Sequence, residues 1–280
     1  MERLIYRLAG PVNTIQGHPA FLAVGTDINW EVIGADPGVI SENCARVKGR
    51  FIPNKDFVQQ EPAAVVGYGQ SLYDTWRDLH NFKVIFTCSG SHKFLLDRGI
   101  VPTYHVDSDP RAHKVAMLGT PHPDVTYLVA SICHPTYFDL LERHGIEKVL
   151  LWHLLVFDPH VYEMLPKGEW LWTGGNTVGP RAMKMARLLG YRTLHMFGFD
   201  ACDGYAGYHQ NAPKNLKPFL SNGKTFWSTH NWFEHAKMMF EDMDRMPEVT
   251  YQFHGEGLIQ EMAKRYVRKV RNKFPMGVMK

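Results

Sequence analysis

The sequence predicts an α/β fold with a mostly parallel β-sheet and helices on both of its faces. From residue 63 onward, short runs of β-branched residues alternate with helical patterns of apolar residues, as in consecutive βαβ units. Glycines follow several of these runs, and the sequence shows no internal repeat. With 280 residues, of which 45% are hydrophobic, the chain can build a large core.

Seven strands and six helices follow from this pattern. The expected strands span residues 63–67, 83–87, 103–106, 125–130, 148–152, 192–197 and 249–253. The first expected helix begins at Ser71, and the others span residues 91–98, 135–144, 177–189, 229–243 and 261 onward.

Three regions of different character are expected. Residues 1–60 are interrupted by Gly and Pro without a clear period, which indicates an N-terminal arm or small subdomain. Residues 61–260 form the main α/β domain. Residues 261–280 form a basic C-terminal helix, which we interpret as a solvated helix rather than a patch for nucleic acid or membranes.

Composition and charge exclude several classes of protein. The net charge of +3 is too small to indicate nucleic-acid binding. The four cysteines are widely spaced without a CxxC pair, which argues against a zinc cluster or disulfide scaffold and favours buried thiols in a reducing cytosol. The N-terminus is too charged for a signal peptide, and no run approaches the ~20 apolar residues of a membrane span. We therefore expect a cytoplasmic protein, whose oligomeric state is open.

The first candidate site follows the first strand, at Gly67, Gly69 and Ser71. Parallel sheets bind ligands beyond the carboxyl ends of their strands, where the strand order reverses. Glycines let the backbone approach a ligand, and the next helix offers free N–H groups to an anion. Because the third glycine of the dinucleotide motif and the GK[ST] ending of a P-loop are missing, a bare turn is an equal alternative.

The second candidate site holds two carboxylates, Asp107 and Asp109, after the third strand. Such a pair can bind a divalent cation that bridges phosphate oxygens, so Mg²⁺ is a candidate cofactor. The alternative is that Asp109 begins a turn or caps the next helix at Pro110. We favour a functional carboxylate here.

The third candidate site precedes the most regular helix of the chain. It combines paired glycines, an amide and a hydroxyl, at Gly174, Gly175, Asn176 and Thr177. Such a segment before a helix N-terminus can form an anion nest. Arg181 and Lys184 lie in the early turns of that helix, where its dipole disfavours cations unless an acidic partner or a ligand phosphate compensates.

The fourth candidate site is Asp200, where the sixth strand ends in a carboxylate that can act as an acid or base. His230 stands where a later helix begins, and capping or packing is the alternative to a catalytic role there.

Four blocks in order resemble the MptE-like 6-hydroxymethylpterin diphosphokinase family: VVGYGQSL, FLLDRGIVPTYHVDSDPRAH, TGGNTVGPRAMKMARLLGYRTLHMFGFD and HGEGLI. That family is similar to the motility accessory factor glycosyltransferases and, more distantly, to the bacterial sialyltransferases. The resemblance spans residues 63–260. The chain looks like a form met in phage-associated and bacterial proteins of unassigned activity.

The resemblance implies that residues 61–260 are a Rossmann-like nucleotide-binding transferase domain. It implies contacts with phosphate or ribose for Gly67, Gly69 and Ser71, and with the nucleotide for residues 174–177. Asp107 and Asp109 would stand at the metal or leaving-group end, and Asp200 would face the acceptor. The sialyltransferase general base is a histidine before a late helix, and His230 lies near that place. Tyr68 and Gln70 depart from the GNGPSL or GSGPSL usual in the first block, so the base or sugar preference is open.

The leading hypothesis is a Mg²⁺-assisted transferase that moves a glycosyl or diphosphoryl group from a nucleotide or nucleotide-sugar donor to an unidentified hydroxyl acceptor. We favour glycosyl transfer by analogy with the broader family. Transfer from ATP, as in a 6-hydroxymethylpterin diphosphokinase, is one alternative, and a non-catalytic nucleotide- or sugar-binding module is another. A nicotinamide-dependent dehydrogenase is disfavoured, because no GxGxxG follows the first strand and no acidic residue ends the second.

Overall fold

A computed structural model describes residues 12–21, 30–33, 35–52, 58–156, 158–172, 177–203, 215–221 and 223–273. Its strands, numbered in chain order, are β1 (Val12–Ile15), β2 (His18–Phe21), β3 (Ala63–Val66), β4 (Ile85–Cys88), β5 (Tyr104–Asp107), β6 (Thr126–Ala130), β7 (Val149–Leu154), β8 (Leu171–Trp172), β9 (Thr193–Phe197), β10 (Lys217–Ser221), β11 (Lys224–Ser228) and β12 (Thr250–Phe253). Its α-helices are α1 (Trp30–Ile33), α2 (Val39–Arg46), α3 (Leu72–Thr75), α4 (Ser91–Leu96), α5 (Pro135–Arg143), α6 (Pro159–Glu163), α7 (Val178–Leu188), α8 (His230–Asp244) and α9 (Leu258–Lys273). Two 3₁₀ helices span Trp76–Asn81 and Ala112–Met117.

Ten strands form one sheet in the order β1-β2-β8-β7-β6-β5-β4-β3-β9-β12, and β10 and β11 form a separate hairpin. Neighbours from β2 to β12 in that order are parallel, whereas β1 is antiparallel to β2. The chain runs from β3 outward to β8 and then returns to add β9 on the other side of β3. The strand order therefore reverses between β3 and β9, which is where an open parallel sheet binds its ligand.

Strand β3 shows that both faces of the sheet are covered. Ala63 and Val65 belong to the core of one face, and Ala64 and Val66 to that of the other, as the two-residue period of a strand requires. Helix α7 packs on the first face, while apolar residues of α3 and α4 cover the second. Burial on both faces explains why these strands read as continuous apolar runs in the sequence.

The predicted fold class is confirmed: the chain has a Rossmann-like α/β fold. Each of the seven predicted strands is present, with its ends shifted by at most two residues. The sequence did not predict the β1–β2 hairpin, β8 or the β10–β11 hairpin. Strand β8 has two residues and shows no period, and the last hairpin contains lysines and Pro218, which weaken a strand signal. In the described part of the chain, no helix has the length and apolarity needed to cross a bilayer.

The expected N-terminal arm contributes to the same sheet and core. Strand β2 pairs with β8, and α2 packs against α5. The buried Asn43 amide donates to the backbone oxygens of Ser131 and Cys133, at 2.8 Å each. Arg50 forms an ion pair with Glu169 at 2.8 Å. The boundary at residue 60 stays a prediction.

A buried ion pair joins α7 to α8. Lys184 Nζ lies 2.6 Å from a carboxylate oxygen of Asp242, and the two side chains are 10% and 2% exposed. Burial lowers the pKa of Lys184, and the charge of Asp242 opposes that change. The cation that the helix dipole disfavours is thus compensated by an acidic partner.

Lys184→Met should lower the free energy of unfolding by about 3 kcal/mol, because it leaves the buried Asp242 carboxylate without its closest cation. Denaturant unfolding measures this loss. The double variant Lys184→Met/Asp242→Leu should recover most of it. The matched control Lys93→Met breaks an exposed pair with Asp97 and should change stability by less than about 1 kcal/mol. If Lys184→Met and Lys93→Met lost the same free energy of unfolding, the ion pair of Lys184 with Asp242 would not be a stabilising contact between α7 and α8.

Candidate functional site

One cavity lies over the carboxyl ends of β3, β4, β5 and β9, where the strand order reverses. Its volume is about 790 Å³, within the range of small-molecule sites. Its walls are the segments 67–69, 88–89, 108–111 and 198–202, the start of α7 and one side of α8. The cavity is therefore the place where the segments after four strands meet helices α7 and α8.

The glycines after β3 are required by the close approach of β9. A Cβ atom added at Gly67 or at Gly69 would lie 2.6 Å from the backbone oxygen of Gly198. Gly198 itself has a φ of +65°, a backbone conformation that residues with a side chain rarely adopt. Gly67 N donates to Phe197 O, and Gly69 N to Gly198 O, at 2.8 Å each. Packing alone explains these glycines, although both also line the cavity.

Asp200 holds the segments after β3 and β9 together. Its carboxylate accepts hydrogen bonds from Ser71 N at 2.7 Å, Ser71 Oγ at 2.5 Å and Gln260 Nε2 at 2.8 Å. Asp200 is 3% exposed and Ser71 is 1% exposed. The Asp200 backbone oxygen accepts from Leu258 N and Ile259 N, which fixes the start of α9. This geometry favours a positioning role for Asp200 over the acceptor-facing role expected from the sequence.

Helix α7 directs its N-terminus at the cavity. Thr177 makes no capping bond through its side chain, and Thr177, Val178 and Gly179 line the cavity. The first N–H groups of a helix have no partner within the helix, so they attract anions. Arg181 adds a cation to the same wall and donates from Nη1 to Ser108 Oγ at 2.6 Å. Burial lowers the pKa of Arg181 to about 10, so this side chain stays charged at neutral pH.

Asp109 faces the cavity as part of an ion pair. Arg111 donates to both of its carboxylate oxygens, from Nε at 2.8 Å and from Nη2 at 2.6 Å. Burial acts to raise the pKa of Asp109, but the hydrogen bonds and charge of Arg111 hold it below its usual value. Arg111 and Lys114 also line the cavity and give its β5 side a positive charge.

The described carboxylates do not fit the Mg²⁺ ion that the sequence suggested. Both oxygens of Asp109 are engaged by Arg111, and Asp107 Oδ1 accepts from the N–H groups of Ser108 and Asp109 at 2.6 and 3.0 Å. Within the described ranges, no three His, Cys, Asp or Glu residues are grouped so that they could hold a metal ion. A requirement for Mg²⁺ stays a prediction.

A histidine that sequence reasoning did not select lies in the cavity. Trp232, His235, Ala236 and Met239 line it from one side of α8, and their spacing of three and four residues is the signal that could have found His235. Burial and, second, the charge of Arg181 lower the pKa of His235, so its imidazole is neutral at pH 7.

His230 does not occupy the position expected of a general base. It is exposed at the first residue of α8 and is not part of the cavity lining. Thr229 caps this helix, because its hydroxyl oxygen accepts from Trp232 N at 3.1 Å. The capping segment therefore directs His230 outward, one turn before the residues that face the cavity.

Backbone strain is concentrated at the same site. Three non-glycine residues of the described chain have a positive φ, and two of them, Ser89 at 55° and Ala201 at 50°, line the cavity. They follow β4 and β9, the strands on either side of β3. Such conformations cost about 1–3 kcal/mol each and cluster at functional sites, which supports the location of the site.

The structure brings together part of the predicted site. Five predicted residues line the cavity: Gly67, Gly69, Asp109, Thr177 and Asp200. Three others lie outside its lining: Ser71, Asp107 and His230. The predictions for Gly174, Gly175 and Asn176 fall outside the described residues. Sequence reasoning missed the cavity cations Arg111 and Lys114, which follow the DSDP motif directly.

The parallel sheet and the cavity at its reversal point define an α/β protein of Rossmann-like fold. Residues 40–205 match the family model described as 6-hydroxymethylpterin diphosphokinase MptE-like. Since this match covers more than half of the chain, the chain belongs to the MptE-like family. A comparison with curated proteins found no match.

Comparison with solved structures supports the fold. The MAf glycosyltransferase from Magnetospirillum magneticum AMB-1 is similar with a TM-score of 0.62 and 17% identity, over 89% of this chain and 43% of that protein. This chain thus spans less than half the length of the Magnetospirillum protein. The A domain of carboxylic acid reductase from Segniliparus rugosus, in complex with AMP and a co-purified carboxylic acid, aligns over 96% of this chain and 48% of its own at 10% identity. Its TM-score is 0.23.

Asp200→Asn tests the positioning role. Ser71 Oγ and Gln260 Nε2 donate to one carboxylate oxygen and Ser71 N to the other, and an amide keeps only one acceptor oxygen. The free energy of unfolding should therefore fall by about 2 kcal/mol. Thermal unfolding without ligand measures this change. Asp97→Asn, which alters an exposed carboxylate, is the control and should leave stability unchanged. An Asp200→Asn protein of wild-type stability that lacks turnover would instead assign Asp200 to the chemistry.

Proposed function

We propose that the chain is a transferase that binds a nucleotide-activated donor in this cavity and moves a glycosyl group to a hydroxyl acceptor. The family and the fold support a transferase of the glycosyltransferase or kinase type. The observation that carries the proposal is that the start of α7, where the Thr177 side chain makes no capping bond, meets three cations, Arg111, Lys114 and Arg181, in one cavity. The four cysteines are free and buried, which fits the cytoplasmic location that we also propose.

The cationic wall suits the phosphates of the donor. Backbone N–H groups at a helix N-terminus bind phosphate oxygens, and a guanidinium can donate to two of them at once. The leaving phosphate becomes more negative as its bond to the transferred group breaks. Fixed cations and dipoles that already point at this charge lower the barrier.

His235 is our candidate for the general base. In the proposed step, the acceptor oxygen bonds to the anomeric carbon while the bond from that carbon to the phosphate oxygen breaks. The electron pair of that bond leaves with the phosphate, and the hydroxyl proton passes to His235. A neutral imidazole suits this transfer, and the lowered pKa of His235 keeps it neutral at pH 7.

Diphosphoryl transfer from ATP is the second candidate, and the description of the family favours it. Such transfer uses Mg²⁺ ions held in part by carboxylates. Asp109 is paired with Arg111 and Asp107 with the turn backbone, whereas the cavity-lining cations Lys114 and Arg181 can neutralise a leaving phosphate directly. This difference favours glycosyl transfer.

A donor nucleotide should stabilise the protein by about 2.7 kcal/mol at about 100 times its dissociation constant. A thermal-shift screen of CMP, UDP, GDP, ADP and ATP, each with Mg²⁺ and with EDTA, measures this effect. Arg111→Gln should weaken binding about tenfold, because a charge-assisted hydrogen bond to phosphate is lost. Lys167→Gln, at an exposed cation outside the cavity, is the control. The proposal fails if no nucleotide stabilises the wild type.

His235→Gln should lower kcat by a factor of about 10² to 10⁴ with little change in nucleotide affinity. Turnover of the donor found by the screen is the measurement. The wild-type rate should rise with pH to a plateau, with a midpoint below 6.5 because the pKa of His235 is lowered. His230→Gln changes a histidine of the same helix outside the cavity and should keep the wild-type rate. If His230→Gln lost turnover and His235→Gln kept the wild-type rate, His230 would be the general base.

A further inference from the structure

Tyr68 presents a large aromatic ring to the cavity. It lies between the two glycines of the 67–69 segment, lines the cavity and is 38% exposed. An aromatic side chain supplies a wide apolar surface and a polarised ring face. Tyr68 is thus partly exposed on the wall of this cavity.

The neighbours of Tyr68 hold its ring in place. Phe94 packs edge-on against it, with ring centroids 6.1 Å apart and an interplanar angle of 63°. Tyr73 packs on the same Phe94, at 4.9 Å, and its phenol is hydrogen-bonded to that of Tyr68. Burial and, second, this hydrogen bond raise the pKa of Tyr68 to about 12, so the phenol is neutral at pH 7. A ring that is already fixed loses little conformational entropy when a ligand binds.

Gly90 makes room for this ring. A Cβ atom on Gly90 would lie 2.6 Å from both Cδ1 and Cε1 of Tyr68, which is closer than any real contact. The φ and ψ of Gly90 are −67° and −10°, a conformation open to every residue. The backbone therefore does not require a glycine here. The ring of Tyr68 does.

We infer that Tyr68 is the stacking platform for the base of the donor nucleotide. This inference rests on the proposed function, in which Arg111, Lys114 and Arg181 receive the phosphates. All three cations and Tyr68 line the same cavity, so a nucleotide bound there by its phosphates can bring its base to the ring. Base stacking on an aromatic side chain tolerates different bases, so the platform sets affinity for nucleosides while other contacts select the base.

Three variants separate the ring from its surroundings. Tyr68→Ala removes the ring, and Gly90→Ala displaces it while leaving Tyr68 intact. Tyr68→Phe keeps the ring and removes the phenolic hydroxyl. Calorimetry should compare the nucleotide found in the thermal-shift screen with inorganic pyrophosphate, which carries the phosphates without a base.

Tyr68→Ala and Gly90→Ala should each weaken nucleotide binding about tenfold or more, which is the value of one stacked base. Tyr68→Phe should stay within about threefold of the wild type, since it retains the stacking surface. Pyrophosphate should bind all four proteins equally, which also shows that the variants fold. If Tyr68→Ala binds the nucleotide as tightly as the wild type, Tyr68 is not the stacking platform. The same holds if Tyr68→Ala loses as much affinity for pyrophosphate as for the nucleotide. Either result leaves the proposed function in place. A wild type that binds neither compound would overturn both.

Discussion

The site depends on the hydrogen bonds that the buried carboxylate of Asp200 accepts. The donors are Ser71 and Gln260, which lie 129 and 60 residues away in the sequence. A carboxylate in this dry position is stable only while its donors remain, because removing one leaves a buried charge partly unsatisfied. The bonds therefore fix the segment after β3 against the end of β9. The close approach of Gly67 and Gly69 to Gly198 follows from the same arrangement.

Two cations in the first turns of α7 show how the cavity obtains its charge. Arg181 and Lys184 lie one turn apart near the N-terminus of the helix, and both are more than 90% buried. Lys184 is neutralised by Asp242 on α8, and this ion pair holds the two helices together. Arg181 reaches Ser108 at the cavity wall. Burial and, second, the charge of Arg181 lower the pKa of His235. In the proposed function, this helix pair supplies both the cation that binds phosphate and the general base.

The sequence predicts the sheet well, because parallel strands buried on both faces are continuous apolar runs that end in turn residues. It also predicts that the segments after β3 and β9 and the start of α7 carry the site. It does not reveal that Gly67 and Gly69 serve packing, because that depends on β3 and β9 being neighbours in the sheet. The paired residues Ala63 and Leu194 are 131 positions apart in the sequence.

The remaining differences between the predicted site and the structure have the same cause. The side of α8 that faces the cavity depends on tertiary packing, so His230 and His235 are equivalent candidates until the helix is placed. The sequence predicts Asp107 and Asp109 as metal ligands because it does not show their bonds. In the structure, Asp107 accepts hydrogen bonds from the turn backbone and Asp109 from Arg111. Strand β2 pairs with β8 across about 150 residues, a contact that no local pattern predicts.

We propose that the segment at 67–69 and the start of α7 enclose a phosphate-binding cavity. A diffraction structure of the chain crystallised with a nucleoside diphosphate tests this. We expect phosphate oxygens about 3 Å from the N–H groups of residues 177–179 and from a guanidinium of the cavity. A phosphate bound elsewhere, with this cavity closed by packed side chains, would contradict it.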